Sequence, residues 1–187
     1  MSRSVPLEER RKALEDQFFA KQNQKLAAEL RAKHEHDEQR GVLSAASGIR
    51  DEAVLDSLLE AGIGGGTVAA LSLVPLVAVA WANGNVTKEE RQAVLRAAHE
   101  AGVESGSDAH SLLDGWLDTR PASTLLETWL AYASALSDVL DDAQCDALRT
   151  QLVDRARAVA QAAGGFLGIG SISAREQSVL EQLEDAL

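Results

Sequence analysis

The sequence predicts an all-α protein: a compact helical bundle preceded by a long charged helical arm. The apolar stock is mainly Ala, Leu and Val, and only 4% of residues are aromatic. Ala and Leu enter helices at little cost and let helices approach closely. No stretch alternates Val, Ile, Thr and aromatics with the period of two that a half-buried strand needs. Hydrophobic residues make up 45% of 187, enough for one core of ordinary size with an appendage.

The first helix is expected from about Pro6 to Arg40, closed by Gly41. Pro6 suits a first turn, and Glu8 and Glu9 suit the positive end of the helix. Leu7, Leu14, Phe18, Leu26 and Leu30 form a sparse apolar stripe with Phe19 beside it. The stripe is too thin for a core and too irregular for a strict heptad seam. A short helix over Glu52–Glu60 follows, with Val54, Leu55, Leu58 and Leu59 at helical spacing and Gly62 as its C-terminal glycine. Gly64–Gly66 reads as a hinge or a close-packing turn, since no Gly-Lys-Ser/Thr follows to make a phosphate loop. The bundle then comprises helices at about 67–82, 88–101, 108–118, 122–137, 141–163 and 174–186. Pro75 should kink the first of these. Trp81, Trp116 and Trp129 lie on apolar faces, and Asp141 and Asp142 open the long fifth helix. Three segments result: a charged arm over 1–41, a connector over 42–66 and the bundle over 67–187.

The net charge of −11 is unevenly spread, with nine basic against eight acidic residues in 1–40 and nine against twenty-one in 41–187. So acidic a body repels phosphate backbones, and nucleic acid is not expected as a ligand. The single cysteine, Cys145, excludes an internal disulfide and a cysteine-based zinc site. Residues 1–15 lack an apolar run after a basic start, so no secretory signal is expected and the cytoplasm is the default. Val68–Ala82 is almost wholly apolar but short for a membrane span, interrupted by Pro75 and without basic flanks; it reads as the central buried helix.

Two turns echo each other: Gly84-Asn85-Val86-Thr87-Lys88-Glu89-Glu90 and Gly170-Ser171-Ile172-Ser173-Ala174-Arg175-Glu176. Thr87 and Ser173 are placed as N-caps, Glu90 and Glu176 complete capping boxes, and Val86 and Ile172 sit as hydrophobic staples. The pattern predicts two helix–turn–helix hairpins related by a pseudo-two-fold, the second with about five extra residues around Phe166–Gly170.

Ala82-Asn83-Gly84-Asn85-Val86 followed by Glu90, between an apolar helix and an Ala/Leu-rich one, resembles the TerB-like domain of tellurite-resistance proteins. The resemblance covers about 67–187. It implies an all-helical bundle with an internal repeat and a stress-related role, with turn acids that bind a metal ion. Carried over, this implicates Asn83, Glu90 and Glu176. Asn83 stands where the family has Asp, however, and Gly164 stands at the matching place in the second turn. Fewer carboxylates weaken a hard-cation site, so capping is the favoured role for these residues and no cofactor is expected. An EF-hand alignment puts Val79 and Trp81 at ligand positions, which excludes it.

In the arm, Glu9-Arg10-Arg11-Lys12-Ala13-Leu14-Glu15-Asp16-Gln17-Phe18 resembles the helical arm of zeta-type bacterial F1-ATPase inhibitors, with Leu14 in place of the first Phe. This implies a helix that inserts at an enzyme interface. The partner-binding candidates are therefore Arg10, Arg11, Lys12, Leu14, Phe18 and Phe19. His34 and His36 point in different directions on a helix and read as a solvated face. Cys145, flanked by Asp142 and Asp146, reads as a small buried hydrophobe. No nucleophile–base arrangement and no His-Glu-x-x-His is present. The expected function is a non-enzymatic protein-interaction scaffold that docks through its arm, with self-association through the same helix open. The alternatives are an ATPase inhibitor and a metal-binding stress protein.

Overall fold

A computed structural model describes residues 7–163 and 172–186, with side chains described for 17–162 and 172–186. Every regular element among them is helical: α1 (Leu7–Ser47), α2 (Glu52–Glu60), a 3₁₀ segment (Val68–Leu73), α3 (Val74–Ala80), α4 (Lys88–Glu100), α5 (Asp108–Asp118), α6 (Thr124–Ser137), α7 (Asp142–Ala163) and α8 (Ala174–Asp185). The chain divides into two compact units, Met1–Gln39 and Arg40–Leu187.

The first unit is helical along its described length and makes its own local pairs. Lys25 and Glu29 lie 3.7 Å apart, and His34 and Glu38 3.4 Å apart, both one helical turn apart. An exposed Lys–Glu pair at this spacing contributes a few tenths of a kcal/mol, about 0.3–0.5, to a helix.

The second unit holds the core. α1 does not stop at Gly41 but continues to Ser47 and ends at Gly48, whose φ of +77° only glycine adopts freely. Tertiary burial overrides the poor helix propensity of Gly41. Leu43, two residues on, is fully buried, and the Ser44 hydroxyl donates to the Ile49 carbonyl at 2.6 Å. The connector residues Ile49, Leu55, Leu58 and Ile63 belong to the same core. α2 starts on Asp51, whose carboxylate accepts from the Val54 N–H at 3.0 Å. It ends in a Schellman turn, with Gly62 N–H bonded to the Leu59 carbonyl and Ile63 N–H to the Leu58 carbonyl.

The apolar stretch from Val68 is two elements rather than one kinked helix. A 3₁₀ turn runs to Leu73, and Pro75 then lies in the first turn of α3. There its missing N–H needs no partner and its fixed φ suits helix initiation, which is why no kink develops. Leu73, Val74, Leu76, Val77, Val79 and Ala80 are all buried. α3 packs against α4, α6, α7 and α8 and so forms the centre of the unit. Among the described residues no helix is long and apolar enough to cross a membrane.

Around α3, each of three further features is chemically marked. Ser107 caps α5 by accepting from the His110 N–H. Asp141 and Gln144 cap α7 reciprocally, backbone to side chain in both directions. Trp116 and Trp129 are buried, and the half-buried Trp81 donates its indole N–H to the Trp116 carbonyl at 2.8 Å.

Candidate functional site

Among the described residues of the second unit two charged side chains are buried, and both are turn glutamates: Glu90 at 1% and Glu176 at 2% exposure. The sequence places each three residues after a hydroxyl N-cap, and both boxes form in full. Glu90 Oε2 accepts from the Thr87 N–H at 2.6 Å and the Thr87 hydroxyl at 2.7 Å, while the Glu90 N–H donates to Thr87 Oγ1 at 3.2 Å. Glu176 Oε2 accepts from the Ser173 N–H at 2.6 Å, and the Glu176 N–H donates to Ser173 Oγ at 3.2 Å. A buried carboxylate is tolerated only when its lone pairs are used. Here the orphan N–H groups at each helix start use them.

Asn83 joins the two turns. Its amide Nδ2 donates to Glu176 Oε1 at 3.0 Å, and its Oδ1 accepts from the Ser173 hydroxyl at 3.0 Å. A carboxylate oxygen can only accept, which fixes the orientation of the amide. One exposed side chain in the turn between α3 and α4 thereby completes the box at the head of α8.

The metal expectation rests on these same residues. Between Asn83 and Glu176 the amide presents a donor, not an oxygen, and both Glu176 oxygens accept hydrogen bonds. A hard cation wants converging oxygens; here the oxygens of Asn83 and Glu176 are engaged as hydrogen-bond acceptors in a clamp. Among the described residues no group of three or more His, Cys, Asp or Glu side chains is close enough to hold a metal. The second turn's Gly164 and the Phe166–Gly170 insertion lie outside the described residues.

An ionic cluster that sequence reasoning misses ties α4 to α5. Arg91 reaches Asp114 at 2.8 Å and Asp118 at 2.6 Å, and His110 Nδ1 lies 3.2 Å from the other Asp114 oxygen. The spacing of Asp114 and Asp118 on one helix face is readable, but their partner on another helix is not.

In the first unit, Phe18 and Phe19 are 58% and 61% exposed, with rings 5.8 Å apart and edge to face. Leu26 and Leu30 are exposed to a similar degree. Phe19, Leu26 and Leu30 are spaced by seven and four residues, so they fall on one line of the helix. Phe18 lies about a quarter turn away. Arg10, Arg11, Lys12 and Leu14 are helical, but their side chains lie outside the described residues.

Comparison with protein families, with curated proteins and with solved structures returns no match to this chain.

Proposed function

We propose that this chain is a non-enzymatic, cytoplasmic interaction protein. A TerB-like platform over 67–187, built from two pseudo-repeated hairpins, carries an arm that docks as an amphipathic helix in a groove of a protein partner. The observation that carries the reading is the exposed line of Phe19, Leu26 and Leu30, with Phe18 beside it. Single exposed apolar side chains are ordinary, but an aromatic pair and two leucines along one helix make a patch that water does not favour. The basic residues Arg10, Arg11 and Lys12 just before the patch would steer it toward an acidic groove rim. Matching Thr/Ser-x-x-Glu boxes at the heads of α4 and α8 support the pseudo-repeat.

The test is site-specific photo-crosslinking of the full chain in its native cells. A crosslinker replaces Asn23, on the apolar line, or Lys21, on the opposite side of the helix. A covalent adduct with one other protein from position 23 only, abolished by Phe19→Asp with Leu26→Asp, supports the reading. An adduct with a second copy of the chain replaces the foreign partner with self-association. Equal labelling from both positions, or none, removes the docking role.

A further inference from the structure

Beside the Asn83 clamp, the second unit opens into a cavity of about 240 Å³ whose residues have no part in the arm's proposed role. Its apolar wall is formed by Val77 and Trp81 from α3 and its C-terminal end, Leu126 from α6 and Val179 from α8. Its polar side chains are Arg120, Ser123 and Arg175. Residues 41–187 contain only nine basic side chains against twenty-one acidic ones, and two of those nine line this one apolar opening. Arg91, Arg149 and Arg157 each pair with a carboxylate. Arg120 and Arg175, like Arg50, Lys88, Arg96 and Arg155, have no hydrogen-bond or ion-pair partner among the described residues; what distinguishes these two is that both line the same apolar cavity.

We propose that this cavity binds a small amphipathic carboxylate, a medium-length acyl chain whose headgroup is held by Arg120 and Arg175. Charge complementarity selects the occupant. An apolar wall alone would accept any hydrocarbon, whereas two guanidinium groups lining the same cavity favour a planar carboxylate and repel a cationic head. The volume lies just below the range of drug-sized pockets, about 300–1,000 Å³, so the ligand is small. The acyl chain would lie against the Trp81 ring and the Val179 face of α8.

The experiment is calorimetric titration of the full chain with decanoate, 1-decanol and decyltrimethylammonium, each below its micellar range. The tryptophan indole N–H signals are followed by ¹⁵N NMR and assigned with single Trp→Phe variants. Decanoate is expected to bind saturably at one site, to shift the Trp81 indole more than that of Trp129, and to bind at least about tenfold tighter than decanol. Arg120→Gln with Arg175→Gln should weaken decanoate by about tenfold or more and leave decanol unchanged. An unaltered thermal midpoint in that double variant shows that the fold is intact. Absence of saturable decanoate heat, equal affinity for decanol, or undiminished binding by the double variant overturns the proposal.

Discussion

Asn83 and Glu176 are separated by 93 positions in the chain and joined by a 3.0 Å hydrogen bond. The amide also accepts from Ser173, so one side chain holds the cap and the capping glutamate of α8 together. Asn83→Asp puts two carboxylates face to face and deletes the donor. It should cost about 1.5–3 kcal/mol, the range for a hydrogen bond to a charged group. Adding Glu176→Gln restores a donor–acceptor pair of reversed polarity, because the Gln amide can donate to the introduced carboxylate while its oxygen keeps the Ser173 N–H. Urea denaturation of the two single variants and the double should show the double recovering most of the loss. Additive losses would mean that the two side chains do not interact energetically.

Glu90 and Glu89 are adjacent residues with opposite fates. Glu90 is buried and accepts twice from Thr87, whereas Glu89 is exposed in the first turn of α4. Glu90→Ala removes the capping carboxylate and leaves the Thr87 N–H without this partner. A cost of about 2–3 kcal/mol is expected, against under about 0.5 kcal/mol for Glu89→Ala. Thr87→Ala should fall between them, at about 1 kcal/mol. Thermal melts of the three variants, compared with the parent chain, read the order directly.

Local chemistry is legible in the sequence, and long-range pairing is not. Thr87-x-x-Glu90 and Ser173-x-x-Glu176 announce their boxes because every participant lies within four residues. Gly62 announces the end of α2 for the same reason. Asn83 stands out at its own turn, but its partner in the distant second turn is set by how α3 and α8 pack. Gly41 misleads because its helix propensity is a local quantity, while the burial of Leu43 that carries α1 onward is a tertiary one. Pro75 misleads in the opposite sense: the sequence shows a proline inside an apolar run, and only the structure shows a helix beginning there. The meeting of Arg120 and Arg175 at one cavity has no sequence signal, since they are far apart in the chain.

Phe19, Leu26 and Leu30 separate stability from recognition. They are exposed, so Phe19→Ala, Leu26→Ala and Leu30→Ala should each change the unfolding free energy of the second unit by less than about 0.5 kcal/mol. Under the docking proposal the same substitutions, combined, should abolish the crosslink from position 23. A triple variant that unfolds markedly earlier would show that the stripe serves the chain's own stability.

Tyr132, the single tyrosine of the chain, should give the second unit an alkaline limit. Burial on α6, beside the cavity lined by Trp129, Leu136 and Leu152, pushes its phenol above the ordinary value. The neutral form is therefore the one the fold favours. Its contribution is complete below the unfolded-state value, about 10, and is lost as pH rises through the folded-state value. Phenolate absorbance near 295 nm reads this one group, and its midpoint in the folded chain should lie above that of the urea-unfolded chain. Between about pH 9 and 12, Tyr132→Phe should lose less stability than the parent, because no phenol remains to ionise on unfolding. Equal titration midpoints in the folded and unfolded chains would show that the hydroxyl reaches water in the fold.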